Sequence, residues 1–326
     1  MIAERIAVLA GATAAGKSGA ALRFARGKRG QGHVVEIVNA DAMQVYKGMN
    51  IGTAKASAAE RADVPHHLLD VITPDMPFSV ADYVALAETC LTEILARGNI
   101  PLIVGGTGFY VRALRQGLPT VPAADMSVQA PLWEQYEQEG IGVLEQRLHA
   151  FSPEDATRAQ KNPRRVIRAL EIIERTGKAP KDFPMTRPKF SYALLALLPP
   201  IDILQTRITQ RVDAMFAAGS VDEVRGLLEH YPDQPTALQA IGYKEVSQFL
   251  RAELSEAACF EQVTRATLQY AKRQRTWFRK EVRQIGDNTE LASVSSLARA
   301  AVSETLADVA VQRWLEQWAK PASNQP

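Results

Sequence analysis

Ten residues constrain this chain more than any others: "GATAAGKSGA", positions 11 to 20. They follow an apolar run, Ile6-Ala-Val-Leu-Ala10, and set Gly11, Gly16, Lys17 and Ser18 in the spacing G-x-x-x-x-G-K-[ST] of a phosphate-binding loop. Such a loop works because successive backbone N–H groups turn inward onto phosphate oxygens. The N-terminus of the helix behind it adds partial positive charge. Gly11 and Gly16 permit the tight backbone, Lys17 neutralises terminal phosphate oxygens, and the Ser18 hydroxyl can ligate Mg²⁺. The pattern needs a strand before it and a helix after it. Both are present: residues 5 to 10 read as a short buried strand, and "GKSGAALRFARG" opens as a helix. In its common use this loop takes ATP or GTP, so a nucleotide is its first candidate ligand. The ordinary alternative is a Gly/Ala loop with an incidental lysine, which would not need those flanks.

The rest of the chain extends the same architecture. "GHVVEIVNAD" reads as a second strand ending at Asp41, and "IPLIVGGTG" as a third strand entering a glycine-rich turn. Between them "SVADYVALAETCLTEILARG" (79–98) reads as a helix capped by Ser79 and followed by Gly98. Alternation of strand and helix argues an α/β fold: a parallel sheet with helices on both faces and ligands at the carboxyl ends of the strands. The pattern changes after Leu118. "PTVPAADMSVQAP" is a connection rich in proline and alanine, and residues 127 to about 178 read as helices only, one starting at Ser152-Pro-Glu-Asp. "SYALLALLPP" (191–200) returns to the buried-strand pattern. The remaining chain reads as helical to about residue 283 and again from 293 to 319, before a tail, "KPASNQP", expected to fray. The expected organisation is a P-loop core begun in residues 1–118, an all-helical insertion in 119–188, and core completion with basic C-terminal helices in 189–326.

Composition narrows the class without choosing a function. In 326 residues, 46% are hydrophobic and 23% charged, as in soluble globular proteins. No apolar stretch is long enough to span a bilayer, and "LLALLPPI" is short and broken by prolines. The start, "MIAERIAVLA", carries Glu4 and then the loop, so it does not read as a cleaved signal. Cys90 and Cys259 form no C-x-x-C, so neither a zinc site nor a disulfide frame is expected. A cytoplasmic monomer is the default. The net charge of +2 says little, but Arg265 to Arg283 holds seven Lys/Arg against one acid, Glu281. Such clustering marks either a polyanion partner or a solvated helix face.

Phosphoryl transfer would want an acid closing the third strand to help hold Mg²⁺. Here that strand ends in glycines and threonine, and the acid stands after the second strand, in "NADAMQVY". The loop is therefore as well suited to a diphosphate that departs as a leaving group.

Further motifs sharpen that reading. "NADAMQVYKGMNIGTAK" (39–55), "VPHHLLDV" (64–71), "IVGGTGFYVRAL" (103–114), "QAIGYKEV" (239–246) and "YAKRQRTWFR" (270–279) occur in this order. As a set, over roughly residues 5 to 285, they closely resemble the bacterial tRNA dimethylallyltransferase (IPP transferase) family. The resemblance implies a P-loop NTPase-like core with a helical insertion that clamps tRNA. It implies transfer of a dimethylallyl group from dimethylallyl diphosphate to N6 of adenosine-37, with Mg²⁺, the adenine being flipped out of the anticodon loop.

The resemblance also implies roles. Asp41 is the general base on the N6 amine, which suits a poor nucleophile that must lose a proton as the C–N bond forms; its plain alternative is a capping aspartate. Ala42, Met43 and Gln44 line the flipped base, with Gln44 on its edge. Thr107, in Gly105-Gly106-Thr107-Gly108, stands near the reaction centre, the glycines letting backbone approach the substrate. Gly11, Thr13, Ala14, Ala15, Gly16, Lys17 and Ser18 bind the diphosphate. Arg207 and Arg211, four apart on one helix face, grip its oxygens, with Arg211 closing over the departing group. Their plain alternative is pairing with Asp202 or Asp213.

For tRNA the basic segment offers Lys272, Arg273, Arg275, Arg279 and Lys280, interleaved with Tyr270, Trp277 and Phe278. Core anchoring is the more ordinary role for that tryptophan. The insertion offers Gln129, Lys161, Arg164, Arg165 and Arg168, and a third stretch offers Gln239, Gly242, Tyr243 and Lys244. Some positions depart from the family pattern: Ala12 for Pro, Ala42 for Ser, Gln129 for Arg, and Lys161-Asn162-Pro163-Arg164-Arg165 for Asn-Asp-x-Gln-Arg. They leave the reaction centre intact and bear on the insertion's tRNA contacts. The rival readings are a small-molecule kinase, a prenyltransferase of free adenine nucleotides, and a non-enzymatic RNA-binding module.

Overall fold

A computed structural model describes residues 5–234, 236–283 and 304–320. The expected fraying of the tail after Lys320 and the helix start at residue 293 lie outside them. Contacts divide the chain into two compact units, one of Met1–Arg115 with Lys189–Pro326, the other of Gln116–Pro188.

The first unit is built on a five-stranded parallel sheet. Strand β1 (Arg5–Gly11) leads through the loop into helix α1 (Lys17–Arg29), then β2 (Val35–Asn39), α2 (Ala58–Asp63), β3 (His66–His67) and α3 (Val80–Ala96). β4 (Ile100–Gly105) comes next, with α4 (Gly108–Gln116) directly behind its turn. The strand order is β3-β2-β4-β1-β5, with β5 formed by Ser191–Leu197. A strand covered on both faces must be apolar at every position rather than alternately. β1 obeys: Ile6 through Gly11 are all buried. Ala7 and Leu9 join a core with α1, while Ile6, Val8 and Ala10 join another with Tyr83, Leu91 and Tyr110.

The structure adds an edge strand, β3, that sequence reading took only as part of a motif. Its pairing with β2 spans just Ile37↔His66 and Val38↔His67, too short to leave a periodic signal. The second strand also stops at Asn39, so Asp41 stands beyond it in the connection.

The second unit holds α5 (Met126–Glu139), α6 (Ile141–Phe151), α7 (Pro153–Ala159) and α8 (Pro163–Thr176), closed around Leu132, Leu144, Leu148, Val166, Ile167 and Leu170. Ser152 caps α7, and Asn162 caps α8 with Pro163 as its first residue. The departure "KNPRR" is thus a helix start. Back in the first unit come α9 (Ile201–Ala217), α10 (Ser220–His230), α11 (Tyr243–Leu250), α12 (Glu256–Arg283) and α13 (Glu304–Trp318). No helix among the described residues is long and apolar enough to cross a membrane.

Candidate active site

The connections after β1, β2 and β4 meet at the carboxyl end of the sheet, where the strand order sets β4 between the other two. In the loop after β1, Ala14 (φ 59) and Gly16 (φ 87) both adopt left-handed backbone, which is uncommon for alanine. Left-handed turns of this kind are the backbone form from which anion-binding concavities are made. The Lys17 ammonium donates to Gly11 O (3.1 Å) and Ala12 O (2.7 Å). Burial pushes its pKa down to about 8; the Asp41 carboxylate opposes that shift and the Arg211 guanidinium reinforces it. Asp41 and Arg211 therefore both act on the Lys17 charge. Arg211, on α9, donates to Thr13 Oγ1 (3.3 Å), which ties it to the loop rather than to Asp202 or Asp213, both exposed. Arg207 lies half-buried one turn earlier, and Ser18 is exposed in the first turn of α1.

Beyond β2 the chain is held by its own polar groups. Asn39, buried, accepts from Asp41 N (3.1 Å) and donates to Asp41 O (3.0 Å) and Leu68 O (3.1 Å). Asp41 Oδ1 accepts from Met43 N (2.9 Å), fixing the carboxylate. Thr107 N donates to Ala40 O (3.1 Å), and Thr107 Oγ1 accepts from Ala42 N (2.9 Å). Gln44 donates its amide to Thr53 O (3.0 Å), which orients the carboxamide. Hydrogen bonds therefore tie Asp41, Ala42, Met43 and Thr107 together, while Gln44 is held separately against the 53–54 backbone.

The glycines around Thr107 are required by the protein's own packing. A Cβ at Gly105 would strike the Ala40 backbone, one at Gly106 the Gln274 carboxamide, and one at Gly108 the Trp277 indole. Sequence reading passed over Gln274. It sits inside α12, 5% exposed, accepting from Thr13 N (2.8 Å) and donating to Gly106 O (2.9 Å). The Tyr270 hydroxyl meets the side chains of Thr107 and Gln274. A signal existed: positions 270, 274 and 278 form a helical stripe, and a glutamine there must be satisfied internally.

α12 separates the expected nucleic-acid contacts into two kinds. Lys272, Arg273, Arg279 and Lys280 are exposed; Phe278 is fully buried; Trp277 packs against the core with Arg112 over its ring at 4.0 Å. Core anchoring is therefore the role of both aromatics. Arg275 is half-buried, and burial, Arg279 and Asp202 act on its guanidinium, the first two lowering its pKa. In the insertion, Arg164 and Arg165 are exposed in the first turn of α8, and Lys161 is exposed beside Glu145 (3.5 Å). Gln129 and Arg168 differ from expectation. Both are spent on the buried Glu171, Gln129 at 2.6 Å and Arg168 at 2.7 Å, and Arg168 also bonds Pro122 O. In the remaining stretch Gln239 and Lys244 are exposed and Gly242 (φ 92) caps α11. Tyr243 is instead 1% exposed, its hydroxyl donating to Glu223 (2.6 Å), so it braces the fold rather than offering a surface. Cys90 and Cys259 are buried free thiols, each pushed up by burial to about 11, which keeps them unreactive.

Comparison with known proteins adds an independent line. The family model described as IPP transferase matches residues 44–281. The chain is 50% identical to the tRNA dimethylallyltransferase of Thermus thermophilus over 278 residues, 85% of this chain and 90% of that protein. It is 42% identical to that of Deinococcus radiodurans over 286 residues, 86% and 92% of the two chains. The crystal structure of full-length tRNA isopentenylpyrophosphate transferase from Bacillus halodurans superposes with TM-score 0.60 at 32% identity, covering 96% and 99% of the chains. A eukaryotic dimethylallyltransferase acting on tRNA superposes with TM-score 0.67 at 29% identity, covering 84% and 69%.

Proposed function

The chain belongs to the IPP transferase family, and from that premise we infer that it transfers a dimethylallyl group to tRNA, taking it from dimethylallyl diphosphate and placing it on N6 of adenosine-37 in the anticodon loop. One observation carries the chemistry: a carboxylate, Asp41, acts on the buried lysine of a loop that Arg211 of α9 also contacts through Thr13. That pairing suits a displacement in which the nucleophile is an amine and the leaving group a diphosphate.

In this reading the N6 lone pair forms a bond to C1 of the dimethylallyl group while the C1–O bond breaks. The electron pair leaves with the diphosphate, and the N6 proton passes to Asp41. Gln44, held through its amide nitrogen, keeps its carbonyl oxygen as an acceptor for the base edge. Lys17, Arg211 and the loop amides of Ala14 and Gly16 to Ser18 stabilise the charge that grows on the diphosphate. Arg207, one turn before Arg211, reaches the same group from α9. Mg²⁺ fits here as an ion carried by phosphate oxygens: Ser18 offers an exposed hydroxyl, and no cluster of three acidic, His or Cys ligands occurs among the described residues. When bound it neutralises diphosphate charge. Exposed Lys272, Arg273, Arg279, Lys280, Arg164, Arg165, Gln239 and Lys244 are the contacts proposed for the anticodon stem-loop, with the protein acting as a cytoplasmic monomer.

The test is incubation of labelled dimethylallyl diphosphate with unmodified tRNA and, separately, with AMP. Label should enter tRNA alone, and Asp41→Ala should slow it by about 10²–10⁴-fold, the usual contribution of a general base. Label on AMP with none on tRNA, or undiminished label with Asp41→Ala, would overturn the reading, as would transfer of the γ-phosphoryl group of ATP to a small acceptor.

A further inference from the structure

The sheet pins its active-site connections only as far as its ladders run. The β1–β4 register ends at Ala10↔Gly105, and the β2–β4 register at Asn39↔Val104. Beyond Val104 the second boundary is continued by backbone and hydroxyl: Thr107 N to Ala40 O, and Ala42 N to Thr107 Oγ1. Beyond Gly105 the first is continued by one side chain. Gln274 accepts from Thr13 N at 2.8 Å and donates to Gly106 O at 2.9 Å. A carboxamide is the side-chain group that both accepts and donates from one plane without charge. It replaces the rung that two diverging backbones can no longer make. The resulting path is unbroken: Thr13, Gln274, Gly106, Thr107, Ala42, Asp41.

We propose that Gln274 is a positioning residue for the transfer reaction, fixing the phosphate loop at a set distance from the Thr107 turn and hence from Asp41. This rests on the reading that the loop holds the leaving diphosphate and Asp41 takes the proton. Gln274 touches neither reacting group. It acts through Thr13, next to the Arg211 contact, and through Gly106, next to Thr107. Its burial means water cannot stand in for the lost bonds. The loop keeps its own shape without Gln274, because Ala14, Gly16 and the Lys17 contacts are local. Diphosphate binding should therefore survive where alignment does not.

The experiment compares wild type with Gln274→Met, which keeps the shape and removes both bonds, and Gln274→Asn, a neutral amide too short to span both partners. Single-turnover transfer to tRNA at saturating donor gives a rate constant independent of the folded fraction, which appears in the amplitude. Affinity for inorganic diphosphate is measured alongside. The rate constant should fall about 10- to 100-fold in Gln274→Met, the scale of an ångström-level misplacement, and less in Gln274→Asn. Diphosphate affinity should change under about threefold in both, as expected when only alignment is lost. A wild-type rate constant in either variant would overturn the proposal, as would a rate loss matched by equal loss of diphosphate affinity. If Gln274→Met gives no folded protein, Gln274→Asn decides on the same two measurements. Wild type that fails to prenylate tRNA overturns the functional reading and this inference together; prenylating wild type with an unaffected variant overturns this inference alone.

Discussion

At the scale of single residues, the informative group is Lys17. Its ammonium is buried and its pKa is pushed down to about 8, chiefly by burial and against the pull of Asp41. An anion favours the protonated form, so binding should be strongest below that value and weaken as pH rises through it. Affinity for inorganic diphosphate should hold steady to about pH 8 and then fall by up to about tenfold per unit, the limit for one linked proton. Lys17→Arg keeps the charge without titrating in this range, so its profile should lack that fall beyond what diphosphate itself contributes. Calorimetric titrations at a series of pH values would check this; identical profiles would mean that Lys17 does not carry the charge. The sequence motif predicted Lys17 as a phosphate ligand. It could not predict the altered titration, because that depends chiefly on burial, with smaller opposed effects of Asp41 and Arg211, and all three arise only on folding.

At the scale of elements, α12 does two jobs on opposite faces. Outside it carries Lys272, Arg273, Arg279 and Lys280; inside it carries Gln274, Phe278 and Glu281. Glu281 is the lone acid of the basic run and is fully buried, bonded to Arg112 (2.6 Å) and Arg115 (3.3 Å) of α4. Its charge therefore serves anchoring, not a solvent-facing balance. Glu281→Ala should destabilise the protein by about 3 kcal/mol, because it strands partly buried arginines. Thermal unfolding would show this as a lowered midpoint, and an unchanged midpoint would refute it. The helix and its basic character were legible from composition and period. Which face was which became fixed only once α4 and the sheet were in place to cover one side.

At the scale of the whole molecule, the proposed roles fall in two separate units. The phosphate loop, Asp41 and Thr107 belong to one, and Arg164 and Arg165 to the other. The insertion is held by Glu171, buried completely, which accepts from Asp125 N (2.8 Å) and Gln129 (2.6 Å) and pairs with Arg168 (2.7 Å) and Arg175 (3.0 Å). Glu171→Ala should cost the insertion about 3 kcal/mol through those orphaned partners. Its expected signature is weakened tRNA binding with unchanged affinity for inorganic diphosphate, measured in parallel; equal loss of both would show that the insertion is not a separate tRNA-binding body. The sequence by itself determined what local spacing can encode. The phosphate loop needs only consecutive backbone and one helix start, the buried strands need only runs of apolar residues, and the ordered motifs identified the family. Tertiary structure decided which of several equivalent polar residues would be free. Arg164 stayed exposed while Arg168 was spent on Glu171, Tyr243 turned inward onto Glu223, and Gln274 became the rung between two loops. Those outcomes depend on which groups are buried together, and a buried polar group must find its partner wherever in the chain that partner lies.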